Sequence, residues 1–94
     1  MHVGCCAYSY RQYLTKGEMT LEQFLDIGVQ MDLDGVELTS YYFPDTETAT
    51  LYDVKRMALR RGLEVSGAAV GNNFCQADPA KRAEQVQMVK DWIR

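Results

Sequence analysis

The sequence holds one histidine, two prolines and three cysteines, and each scarcity closes off a class of chemistry. The cysteines, Cys5, Cys6 and Cys75, are odd in number and show no CxxC spacing. That excludes a disulfide framework and a thiolate zinc site. Cys5 and Cys6 are neighbours on a strand-like run, so their side chains point to opposite faces and chelate one ion poorly. Free thiols in a reducing compartment are expected, hence a cytoplasmic protein. Ser66 has no histidine and aspartate partners that would complete a nucleophilic triad. No apolar run approaches the ~20 residues of a spanning helix, so no membrane partner is expected. No basic segment and cleavage site precede the first strand at His2, so no secretory signal is expected. An excess of positive charge is missing too. Ten Lys and Arg stand against thirteen Asp and Glu, giving a net charge of -3 and a pI of about 5.0. A nucleic-acid surface needs clustered cations. The basic groups here, Lys55-Arg56, Arg60-Arg61 and Lys81-Arg82, fall in helical patterns and read as solvated faces.

What is present is a 94-residue chain that is 47% hydrophobic and 24% charged, enough for one small domain spanning 1–94. Its hydrophobic period switches from strand-like to helical three times. "HVGCCAY" (His2 to Tyr8) is a short apolar run, followed by loop residues through Lys16-Gly17. Thr20 and Gln23 then form a capping box, opening a helix whose stripe is Leu21, Phe24, Leu25, Gly28 and Met31. "GVEL" (Gly35 to Leu38) is the second strand, followed by a loop through Pro44. A helix over Thr48 to Arg61 comes next, with the stripe Leu51, Val54, Ala58 and Leu59. Arg60 and Arg61 suit its C-terminal dipole, and Gly62 is its stop. "LEVSGAAV" (Leu63 to Val70) is the third strand. After Gly71-Asn72-Asn73, Asp78-Pro79 opens a helix with Asp as cap and Pro at the first position. Ala83, Val86, Val89 and Ile93 continue its stripe.

Strands alternating with helices, without hairpin turns, predict right-handed βαβ units and a parallel sheet with its helices on one face. Strand starts near residues 2, 35 and 63 repeat every 30 residues or so, and a (β/α)8 barrel of ~250 residues gives about 31 per unit. Parallel strands require cover on both faces, yet three such units leave one face bare. The last helix runs to Trp92-Ile93-Arg94 with no stop signal. The expected fold is therefore α/β: the first three βα units of a (β/α)8 TIM barrel, as part of a longer protein. The alternative is a small α/β module that self-associates through the uncovered sheet face.

"CAYSYRQYLTKGEMTLEQFLD", "LDGVELTSYYFPDT" and "GLEVSGAAVGNNF", followed by "DPAKRAEQ" and "VKDWI", resemble the N-terminal part of the sugar phosphate isomerase/epimerase family, the xylose-isomerase-like TIM barrels. The likeness runs over essentially the whole chain and rests on the order and spacing of the three segments, since "DGVEL" alone is common. The resemblance implies a barrel that transfers a proton beside the carbonyl of a sugar or sugar phosphate. It also implies a divalent metal (Mn, Mg, Co or Zn) held by two Glu, an Asp and a His on later strands. None of those ligand positions can be matched in this chain. His2 falls at the bottom of a barrel, where residues serve stability. No metal and no catalytic residue is therefore assigned within 1–94, and the isolated chain is expected to be inactive. An apurinic-site endonuclease of the same superfamily is a further alternative, weighed against by the acidic balance and the Asn72-Asn73 mouth.

Active-site groups in such barrels sit at the C-terminal ends of the strands. Here those ends carry Tyr8, Tyr10, Glu37, Thr39, Asn72 and Asn73, the candidate substrate-binding residues. Alternation sends Val36 and Leu38 toward the helices, and Glu37 and Thr39 toward the interior of a barrel. Tyr41, Tyr42 and Phe43 would wall the pocket, offering rigid rings and hydroxyls. Bland readings compete at each position: Glu37 as a structural carboxylate, the aromatic residues as helix packing, the asparagines as a plain turn.

Overall fold

Three short strands, β1 (Gly4–Cys6), β2 (Gly35–Thr39) and β3 (Glu64–Ala69), lie parallel and in chain order. They belong to a computed structural model that describes residues 1–93. The helices are α1 (Arg11–Lys16), α2 (Leu21–Gln30), α3 (Thr48–Arg60) and α4 (Pro79–Ile93). The chain is thus an α/β protein with a three-stranded parallel sheet.

β1 and β3 are shorter than their apolar runs, while β2 extends one residue past Leu38 to Thr39. After Cys6 the chain tightens at once into a 3₁₀ turn over Ala7–Tyr10 and then into α1. The sequence pattern predicts loop over α1. This helix has no side-chain cap at its start, so the sequence carries no start signal there; Gly17, at φ 72°, ends it. Later boundaries follow their signals. Thr20 accepts from the Gln23 amide at 3.1 Å while the Gln23 side chain accepts from the Thr20 amide at 2.8 Å, the reciprocal box that fixes the start of α2. Gly62, at φ 71°, follows the end of α3, and Asp78 accepts from the Ala80 amide at 2.8 Å at the start of α4.

Val36 and Leu38 of β2 are buried against Leu21, Phe24 and Leu25 of α2 and Val54 and Ala58 of α3, with Ala7 and Leu63 closing the cluster. Gly28 lets α2 come close: a Cβ there would sit 3.3 Å from Leu63 and 3.7 Å from Val36. Arg61 ties the two helices together. Its Nε donates to Asp26 at 2.6 Å, another guanidinium nitrogen lies 3.5 Å from Glu22, and a third contact reaches the Met57 carbonyl. The hydrogen bond to Asp26 raises the Arg61 pKa, against a smaller opposing effect of burial.

All three expected stripes are only partly right. Met31, the residue after the end of α2, and Leu59, on the outer side of α3, are exposed, Leu59 by 72%. In α4 no described residue is buried, and Ile93 is 79% exposed. Ala83 and Val86 also face out, while Gln85, Met88, Val89 and Trp92 are half-buried. The physical reason is that α4 stands off the sheet, parted from α3 by a groove of about 800 Å³ between Leu51, Tyr52, Met88 and Trp92. The expectation that every helix packs on one sheet face therefore holds for α2 and α3 and not for α4. Val65, on the helix side of β3, is left 41% exposed.

β2 and β3 are out of step by one residue. Val36 pairs with Val65, but Glu37 pairs with Gly67, so Ser66 is an extra residue. The Ser66 hydroxyl donates to the Val36 carbonyl at 3.2 Å, giving a partner to a group beside the disturbed ladder.

Candidate functional site

The loops after the strands come together at one end of the sheet, where the barrel logic expects chemistry. The 3₁₀ turn Ala7–Tyr10 places Tyr8 on the near wall of a cleft, and the segment after β2, a second 3₁₀ turn over Ser40–Tyr42, supplies the far wall. Tyr8, Arg11, Tyr41, Tyr42 and Phe43 line a volume of about 630 Å³. Small-molecule sites fall between ~300 and 1,000 Å³ and combine aromatic walls with few polar groups. The Tyr41 and Tyr42 rings meet edge to face, their centroids 6.4 Å apart.

Arg11 completes this wall, and sequence reading passed over it. Its guanidinium lies over the Tyr8 ring, 5.0 Å from the centroid, and approaches the Tyr8 carbonyl at 3.5 Å. No carboxylate lies within ion-pair distance of it among the described residues. The available signal was a cation directly after "YSY" at a strand end, where aromatic residues and positive charge adjoin.

The third loop touches this region through Tyr41. A Cβ at Gly71 would fall 2.2 Å from the Tyr41 hydroxyl, so the ring edge rests over bare backbone. Gly71 is therefore where the β2–α3 and β3–α4 connections meet.

The other expected residues lie elsewhere. Tyr10 turns into the helical layer, its ring centroid 5.6 Å from that of Phe24 and its hydroxyl 3.9 Å from the Met31 sulfur. It packs α2 and does not line the cleft. Asn73 accepts from the Cys75 amide at 2.9 Å through its own side chain, an Asx turn. Its backbone N–H donates to Gln85 of α4 at 2.9 Å. Asn72 is exposed beside it. Thr39 is only 1% exposed, and its hydroxyl has no hydrogen-bond partner among the described residues.

Glu37 points to the face that the helices leave open, as alternation required. It is half-buried, with Cys6, Ser66 and the strand backbones around a shallow hollow of about 410 Å³. A Cβ at its pairing partner Gly67 would meet nothing within 4 Å. His2 and Asp34 sit at the opposite end of this face. His2 Nδ1 is 3.8 Å from one Asp34 oxygen, and the other accepts from the Val3 amide at 2.7 Å. Asp34 anchors the start of the chain through the Val3 amide.

At the outer edge of the aromatic cleft, Asp45 organises the approach to α3. Its carboxylate is held below its ordinary pKa, first by the Thr50 hydroxyl and then by the Glu47 amide. Among the described residues no three His, Cys, Asp or Glu side chains converge as a metal cage. The divalent ion that the resemblance implies does not fit this part of the chain, and no chemical step is assigned to one here. No helix among the described residues is long and apolar enough to cross a membrane. Comparison with protein-family models, curated proteins and solved structures returned no match to this chain.

Proposed function

We propose that the chain forms the first three βα units of a (β/α)8 barrel of the sugar phosphate isomerase/epimerase type, and that its strand-end loops form one wall of the sugar site. The observation that carries this reading is the sheet itself. Three parallel strands stand in chain order, two helices pack on one face, and the face bearing Glu37 and Gly67 is open. A parallel sheet covered on one side calls for further strands that close around the other. In such a closed sheet Glu37 points inward, where a carboxylate without a partner is costly and pairs with polar groups of later strands or with substrate.

The work assigned to this chain is binding and exclusion of water. The rings of Tyr8, Tyr41, Tyr42 and Phe43 present flat apolar faces to the C–H side of a sugar, and the tyrosine hydroxyls reach its oxygens. Proton transfer beside the carbonyl belongs to carboxylates and a metal on later strands. The test is titration of the labelled chain with xylose, glucose and fructose, followed by NMR. Shifts concentrated at Tyr8–Arg11 and Ser40–Phe43 are expected; their absence at saturating sugar defeats the reading. Residues 1–94 are expected to give no turnover with Mn, Mg, Co or Zn, and metal-dependent isomerisation by this chain would overturn the division of labour.

A second reading, a self-associating α/β module, draws on the same open face. A monodisperse, well-folded dimer in sedimentation would favour it over a barrel segment.

A further inference from the structure

We propose that the aromatic cleft is a binding site for a small anion carried on a ring, with Arg11 as the residue that selects for the charge. Three observations meet there. The chain is acidic overall, at a net charge of -3, yet the residues lining this cleft include one cation and no carboxylate. That cation has no ion-pair partner among the described residues. And it lies over a ring: the guanidinium carbon is 5.0 Å from the Tyr8 centroid. A guanidinium stacked on a ring retains its edge N–H donors for a carboxylate or phosphate, and does so in a fork geometry that lysine lacks.

The rest of the cleft suits a flat body attached to that anion. Tyr41 and Tyr42 meet edge to face, so they present differently oriented surfaces, and Phe43 adds a wall with no polar atom. Water held over such surfaces is displaced favourably by a ring face. The ligand class is therefore a compact carboxylate or phosphate joined to a cyclic group. This goes beyond the sugar reading, since it fixes the charge of the ligand and does not require that the ring be a sugar.

The experiment uses the 94-residue chain with phenyl phosphate, phenol, inorganic phosphate, glucose and glucose 6-phosphate, with affinities read from NMR titration. With a charged hydrogen bond to Arg11, phenyl phosphate is expected to bind about tenfold or more tightly than phenol. It should also exceed inorganic phosphate, which lacks the ring. Arg11→Gln should abolish the advantage over phenol; Arg11→Lys should restore part of it. Equal binding of phenyl phosphate and phenol, or an advantage that survives Arg11→Gln, overturns the proposal. If phenyl phosphate binds as expected while neither sugar shifts the same resonances, the anion site stands and the sugar reading falls. If glucose binds and glucose 6-phosphate binds no better, this proposal falls and the sugar reading stands.

Discussion

Thr39 shows how much one side chain can reveal at the end of a strand. Its hydroxyl is buried at the end of β2, the strand that packs against the Ala7–Tyr10 turn, and has no partner among the described residues. An unmade hydrogen bond on a buried polar group costs ~1–3 kcal/mol, whereas an apolar group of the same shape avoids that cost. Thr39→Val is expected to stabilise the fold by about 1 kcal/mol, seen as a higher midpoint in urea denaturation; an unchanged or lower midpoint would mean that the hydroxyl has a role the fold does not display. Glu37 and Thr39 were both legible as candidates from alternation alone. Their different burial was not, because it depends on the turn that follows β1, which leaves no mark in the residues of β2. Tyr10 misled for a related reason: a tyrosine at a strand end can point to the mouth or to the helices, and only the tight turn after Cys6 decides.

At the scale of elements, helix boundaries were readable wherever a side chain makes the boundary. Thr20 with Gln23, Asp78 with Pro79, and Gly62 each act locally, so sequence and structure agree. α1 was not readable because a stop glycine alone defines it. The face of α4 was not readable either: apolar residues such as Val86, Met88, Val89 and Ile93 surround it on more than one side. The strands depend on a contact no pattern displays. A Cβ on Gly35 would fall 2.6 Å from the Glu64 carbonyl oxygen. Gly35→Ala must push β2 and β3 apart, and a loss of roughly 1–3 kcal/mol is expected from chemical denaturation. Asp45 gives the loop before α3 a pH dependence. Its folded pKa lies below the ordinary 3.8, so its contribution is present above that pH and is lost as pH falls through the folded value. Asp45→Asn should therefore be less stable than the parent at neutral pH, and the gap should close in acid, as followed by thermal melts across a pH series.

For the whole molecule, the composition and the alternation of elements made the α/β class and the parallel sheet legible. The stand-off of α4 was not, since its apolar residues mark no single face that would seat it on the sheet. An uncovered parallel sheet with an unpaired outer edge is a template for association. Sedimentation velocity is expected to show concentration-dependent self-association, and Val65→Lys should weaken it by placing a charge beside that edge. A monomer at all concentrations would show that the exposed sheet tolerates water unaided.

The central position of β2 has one more effect. Its amides and carbonyls are engaged from both sides, by β1 and by β3, while each outer strand is held from one side only. In deuterated solvent the exchange of backbone protons should advance inward from the two flanks, reaching Val36 to Leu38 last. The molecule would lose its peripheral strands by fraying long before its middle strand opens.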